Sequence, residues 1–414
     1  MVKKLRYDEE IGNVFDIKIN ENKCIVLLEE GKEFSGRLEL VYESGEIYSE
    51  GNIEKGVKEG VWKTFYETGE LKVLEYYEKG LRENEYNEYY QNGKKSVEIY
   101  HKNGIYNGSY KTFYENGNEW LVANYKDGLK TGEWKKYRDN GMLLWKGKYF
   151  YDKLQGLVEI YHKNEKKALI SNFIDGERNG RYEVFYQNGN LRIRGNFKND
   201  FEEGIWKKFY KDGNIFSKYN MEHGKENGIK KIYYKKNTEF NGIKSFNTPL
   251  ENAQLYKKVK MKNSLKDGKE EIYYPNGKIW EEKNYKKDKL DGKEYKYSKH
   301  GNLIEENYYE EGKLLQTIGY FDNNKKQIFK KIQWLETIDA VEEISENYYE
   351  NGVSKERYKK NNENLIEMEK YYSNKAIKEI LVIEDNKKKI KKYNKEGSLI
   401  REKILTNNII KSEE

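Results

Sequence analysis

The chain is poor in residues that staple, break or bridge a fold: among 414 residues there are one cysteine, two prolines and four histidines. A single cysteine excludes an intramolecular disulfide and a cysteine-cluster zinc site. Cys24 precedes Ile25-Val26-Leu27-Leu28 and reads as a buried thiol. Scarce proline, Pro249 and Pro275 only, suits strands whose amides all pair. His101, His162, His223 and His300 lie far apart in sequence, and ligands spread along a linear array do not converge, so no metal site is expected. No apolar run approaches the roughly 18 residues of a membrane-crossing helix. The start, MVKKLRYDEEIGNVFDIKIN, meets Asp8, Glu9 and Glu10 before any apolar core forms. The expected address is the cytoplasm, with export by a non-classical route as the alternative.

Catalytic signatures are also missing. There is no nucleophile elbow, phosphate loop or zincin motif, and Glu43, Glu67 and Glu115 recur before turns, where a solvated tip accounts for them. The reading is of a non-enzyme without catalytic residues or a cofactor. Basic residues number 78 against 71 acidic, a formal net charge of +7 with the signs interleaved. Nucleic-acid binders cluster their cations on one face, so such a partner is not expected. The basic stretch from Lys387 to Lys392 reads as a solvated strand end.

What the chain does have is a period. Units of 24 residues begin at Gly36, Gly60, Asn84, Gly108, Gly132, Gly156, Gly180, Gly204 and Gly228, and a repeat of this length means an array. Each unit, such as GSYKTFYENGNEWLVANYKDGLKT from Gly108, holds an aromatic run, a turn dipeptide, an alternating run and a second polar turn. Glycine at short intervals opposes helix and aromatics suit a pleated surface, so each unit is a β-hairpin. Asn92-Gly93, Asn116-Gly117, Asn140-Gly141, Asn188-Gly189 and Asp212-Gly213 are read as two-residue type I′ turns.

That turn sets a register. Trp62 should face Glu75, Tyr110 Ala123, Trp134 Gly147, Tyr182 Gly195 and Trp206 Tyr219, often a large ring over a small residue. The next pairs on that face would be Tyr66 with Leu71, Tyr114 with Glu119, Tyr186 with Leu191 and Tyr210 with Ile215. A second aromatic column, including Phe65, Tyr89, Phe113, Tyr137, Tyr161, Phe185, Phe209 and Tyr233, has the opposite parity and should point to the other face unless a bulge intervenes. Lys63, Lys111, Lys135 and Lys207 share that parity. The plain reading makes both ladders the core of a thin sheet with no other layer. The functional reading makes Phe65, Tyr89, Phe113, Tyr137, Phe185 and Phe209, with the four lysines, a partner surface.

Composition agrees with a thin, solvated body: 36% hydrophobic, 36% charged, a mean hydropathy of −1.10, yet 15% aromatic, too ring-rich for disorder. Residues 1–35 read as a degenerate capping repeat from near Gly12, and 36–240 as regular repeats. Between Gly228 and Gly268 the period is lengthened by an insertion placed at 241–262, containing Pro249, where loop function is expected. Regular repeats resume over 263–315. Residues 316–414 carry blurred units, and Ile328, Ile332 and Leu335 at helical spacing allow a short helix within 321–342.

The pattern G-x-W/Y-x-x-F/Y-Y-x-N/D-G-x-L, with a later aromatic and x-x-G, resembles the bacterial variant of the MORN repeat found in YwqK-family antitoxins of toxin-antitoxin systems. The resemblance covers about residues 36–315 strongly and 12–35 and 316–400 weakly. It implies an all-β, elongated, single-layer antiparallel meander of hairpins, a solenoid-like rod, and a binding role toward a protein partner such as a toxin. Related repeats also imply membrane lipid as an alternative partner. The rod is expected to be monomeric, with its sheet edges as the route to self-association.

Overall fold

Two kinds of turn alternate along the chain, and they build the sheet. In the hairpin of strands Val57–Phe65 and Leu71–Glu78, Trp62 faces Glu75 and Thr64 faces Val73, but Phe65 then faces Leu71. All five expected ring pairs hold: Trp62–Glu75, Tyr110–Ala123, Trp134–Gly147, Tyr182–Gly195 and Trp206–Tyr219. The pairs nearer the turn do not. Leu71, Glu119, Leu191 and Ile215 face Phe65, Phe113, Phe185 and Phe209 in place of the neighbouring tyrosines, because a bulge shifts the register by one.

The Asn-Gly turn is the cause. The amide of Gly117 donates to the carbonyl of Tyr114 and the amide of Tyr114 to the carbonyl of Asn118, each at 2.8 Å. Only Gly117 takes a positive φ, +92°; Asn116 does not. This is the three-residue hairpin loop with glycine as its left-handed residue, so the type I′ assignment to these dipeptides is corrected. Type I′ geometry belongs to the other turn. Asp127 and Gly128 have φ of 49° and 81° between the paired Lys126 and Leu129.

The leading glycine of each unit marks a second irregularity. Ile99 faces Tyr110 and His101 faces Tyr106, so Asn107, Gly108 and Ser109 stand opposite Tyr100 alone. Gly108 has φ +127°, and a Cβ on it would lie 3.2 Å from the Cβ of Tyr100. Asn84, the one exception among the leading residues, takes φ 60°, which asparagine tolerates better than most side chains.

A computed structural model describes residues 2–6, 15–21, 24–240, 243–244, 254–323, 325–336, 341–362, 364–384 and 387–406; Gly12 and Pro249 lie outside them. The regular elements so described are all strands. The chain divides into two units, Met1–Phe201 and Glu202–Glu414. In the first, strands from Gly36–Val41 to Leu191–Lys198 pair antiparallel with their sequence neighbours in an open sheet. Val2–Arg6 adds to its edge in parallel, alongside Gly36–Val41. A small sheet of Asp16–Ile19, Ile25–Glu29 and Lys32–Glu33 supplies a second layer at this end. Phe15, Leu27 and Phe34 pack there with Leu38, Leu40, Ile53, Trp62 and Tyr77, so the expectation of a sheet with no other layer fails locally.

In the second unit the same antiparallel order runs to Leu399–Thr406. Within the segment read as an insertion, Leu255–Lys262 is a regular strand that pairs with Lys225–Tyr233 in the place of the unit's second strand. The segment read as a short helix contains the strand Ile328–Glu336, paired on both sides. Its apolar spacing there meets period-2 neighbours that hydrogen-bond its backbone, and pairing overrides the weak helical pattern.

Away from the small sheet, rings are buried by one another along a single face. Tyr106, Tyr125, Trp134 and Tyr149 stand edge to face or tilted at 5.1–5.4 Å, and Trp134 is only 6% exposed. Lys130 lies 5.2 Å from the Trp134 ring and 5.4 Å from Tyr149, its stem covering their upper side.

Candidate functional site

Alternation places Lys63, Lys111, Lys135 and Lys207 on the face opposite Trp62 and its equivalents. The second aromatic column shares it: the Tyr161 phenol donates to Glu159 two residues earlier, and the Tyr273 phenol to Glu271. Phe65, Tyr89, Phe113, Tyr137, Phe185 and Phe209 are half-buried beside the bulge, at the position that Tyr161 and Tyr273 hold in their own repeats. The exposed large apolar side chains gather on it too, including Val61, Trp120, Leu157, Ile205 and Ile229.

Within each unit the predicted lysines fall in a row that crosses the strands at their midpoints. In the first unit the row reads Glu50, Lys63, Leu74, Asn87, Glu98, Lys111, Val122, Lys135, Lys146, Glu159, Ile170, Glu183, Arg194, each residue facing the next. Its charges largely answer one another. Lys111 is 3.5 Å from Glu98 and Lys135 is 2.9 Å from Glu133. Lys146 and Lys167 each reach Glu159 at 2.6 Å. Burial pushes the Glu159 carboxyl up, but the hydrogen bonds from Lys146, Lys167 and Tyr161 outweigh it and bring it down to about 2.

In the second unit the row reads Lys207, Lys218, Lys231, Lys258, Glu271, Glu282, Tyr295, Glu306. The glutamates are matched: Glu271 by Lys258 and Lys269, Glu282 by Lys269, Glu306 by Lys293, all within 2.8–2.9 Å. The first three lysines are not. Lys207 faces Lys218, and Lys218 faces Lys231; among the described residues none of the three has an ion pair. Sequence reading found Lys207 but missed Lys218, Lys231 and Lys258. Their signal was available, since the register that pairs Trp206 with Tyr219 also pairs Lys207 with Lys218.

A concavity of about 950 Å³ opens on the other face of the first unit. Lys58 lies 4.2 Å from the Trp62 ring and 4.8 Å from Tyr77, and Glu75 accepts Arg82 at 2.9 Å and sits 3.6 Å from Lys58. Burial holds the Lys58 amine below its ordinary range, with Glu75 partly restoring it. These charges close on themselves. His101, 3% exposed between Tyr86 and Tyr106, has a pKa lowered by burial and by Arg82, and serves as a neutral ring in the aromatic row. His162 has a different task, donating through Nε2 to the carbonyl of Phe185 at 3.0 Å.

The hairpin geometry coincides with a known family of repeats. The family model described as MORN repeat variant matches residues 58–79, 178–199, 202–223 and 266–287. Each match starts two residues before a leading glycine and covers one hairpin with its three-residue loop. The chain is thus built at these places from MORN-variant repeats. No curated protein matches it. Among solved structures, it is similar to a chain of the "Crystal Structure of TcdB2-TccC3" at 10% identity, over 87% of this chain and 20% of that one, with a TM-score of 0.16. A chain of the Photorhabdus luminescens Tc holotoxin pore is similar at 9% identity, over 92% of this chain and 21% of that one, with a TM-score of 0.16. The chain spans about a fifth of the length of these structures.

Proposed function

We propose that this chain is a non-enzymatic protein-binding scaffold whose docking face is the one that carries the lysine row and the second aromatic column. The observation that supports it most is the pairing of two features on that face. Large apolar side chains stand exposed, Ile205 by 51% and Ile229 by 43%, beside a run of lysines that have no ion pair among the described residues. Exposed apolar groups interleaved with polar ones mark interaction surfaces. In the concavity beside Trp62, by contrast, Lys58 and Arg82 are both answered by Glu75.

On the resemblance to YwqK-family repeats, the partner class is a toxin held by its antitoxin. The test is co-purification of the tagged full chain with its genomic neighbour, followed by toxicity of that neighbour with and without this chain. A stoichiometric complex and suppressed toxicity support the antitoxin reading. A complex without toxicity leaves a scaffold, and no complex removes both.

Lipid is the second reading, favoured by the same lysines. Flotation with phosphatidylserine vesicles that disappears at high salt would move the assignment to membranes.

A further inference from the structure

Resting on the protein-binding reading, we infer that the row Lys207, Lys218, Lys231 and Lys258 is the seat for an acidic amphipathic helix of the partner, laid across the strands. Neighbouring strands are about 4.8 Å apart, so the four lysines repeat at that interval over roughly 14 Å. A helix presents side chains on one stripe at i, i+4, i+7 and i+11, about 5.5 Å apart, and so stays within about 2 Å of the row over its four lysines. An extended peptide places same-side residues about 6.6 Å apart and falls out of step within three of them.

The borders of the row fit a helix that is apolar beside its acidic stripe. Ile205 and Ile229 are exposed along one side. Along the other, the rings are already engaged: Phe216 meets Tyr210 edge-on at 5.2 Å and Tyr256 tilts against Tyr234 at 5.1 Å. Single-stranded nucleic acid binds such surfaces by stacking on several free ring faces in succession, whereas among the described residues of this border Phe216 alone is exposed, by 37%. Charge complementarity then favours carboxylates. Directly opposed lysines repel, and a stripe of glutamates relieves that repulsion while the isoleucines lose their contact with water.

The test uses the full chain and a labelled peptide of about 18 residues with glutamates at i, i+4, i+7 and i+11 flanked by leucines, followed by fluorescence anisotropy. The control peptide has the same composition with the glutamates off the stripe. The patterned peptide is expected to bind, and Lys207→Gln, Lys218→Gln and Lys231→Gln together weaken it about tenfold. The same charge change at the exposed Lys126, Lys153 and Lys198 leaves it intact, which separates the row from net charge. Equal binding of the two peptides, or an unchanged affinity of the row variant with its melting temperature preserved, overturns the inference. So does tighter binding of an oligothymidine or of phosphatidylserine vesicles through the same lysines. A co-purifying protein retained by the row variant removes the helix seat but leaves the scaffold standing. Loss of every protein partner from the wild type removes both.

Discussion

The phenol of Tyr66 donates to the backbone carbonyl of Tyr89, 2.8 Å away and 23 residues later. Tyr42 does the same to Phe65, Tyr90 to Phe113, Tyr114 to Tyr137, Tyr210 to Tyr233 and Tyr274 to Tyr297, at 2.7–3.0 Å. Where tyrosine is absent, the Arg138 guanidinium and the His162 ring take the role. The acceptor follows from the bulge, which interrupts the ladder between Glu88 and Tyr89. These loops thus tie themselves to the next hairpin through a carbonyl beside the irregularity.

Tyr66→Phe keeps the ring and removes only the donor. A loss of about 1 kcal/mol is expected, read as a lower urea midpoint with an unchanged slope. Tyr151→Phe, at an exposed turn, should leave the midpoint in place.

Gly51→Ala tests the small residue that the Trp62 ring covers from the strand on its other side. A Cβ at Gly51 would lie 2.3 Å from the Trp62 ring, which is 2% exposed and donates through Nε1 to the carbonyl of Asn52. The ring cannot withdraw without breaking that bond and the packing with Leu38 and Tyr77. Destabilisation of about 1–3 kcal/mol is expected, with a changed tryptophan fluorescence maximum.

The ring pairs show how far the sequence could be read. The pairing of Trp134 with Gly147 and of Tyr182 with Gly195 was legible because period 24 and period 2 together leave one register for the middle of each strand. The ends were not legible. Asn116-Gly117 is a strong signal for type I′, but the same dipeptide also closes a three-residue loop, and the choice depends on whether Tyr114 or Phe113 pairs with the returning strand. The candidate surface was half legible: Lys207 stood out within its unit, whereas the run to Lys258 needed the strand beyond Pro249 to be recognised as the partner of Lys225–Tyr233.

Acid should loosen the second unit through Glu271. Burial raises its carboxyl, but hydrogen bonds from Lys258, Lys269 and Tyr273 prevail and bring it down to about 2. A carboxylate with a depressed folded pKa stabilises the fold fully above its unfolded value of about 4.3, and that contribution is lost as pH falls toward about 2. The urea midpoint is therefore expected to drop between about pH 5 and pH 2. Glu271→Gln should lower the midpoint at neutral pH and flatten its acid dependence. An unchanged slope with pH would show that the ion pairs around Glu271 do not form in solution.

The lysine row makes a prediction of the opposite sign. Lys218 stands between Lys207 and Lys231 with no carboxylate to offset them among the described residues, and opposed like charges cost a few tenths of a kcal/mol to about 1 kcal/mol. Lys218→Gln should therefore raise the melting temperature at low ionic strength, with the gain fading as salt screens the repulsion. Lys258→Gln should do the reverse, because Lys258 also answers Glu271 at 2.9 Å. Residues two strands apart on one row, about 10 Å, would then differ in sign. A surface that loses stability to keep three lysines in line, and loses peptide binding when they are neutralised, is explained by its ligand. If Lys218→Gln is neutral at every salt concentration, the lysines splay apart into solvent, and the row no longer distinguishes this face from any other charged surface.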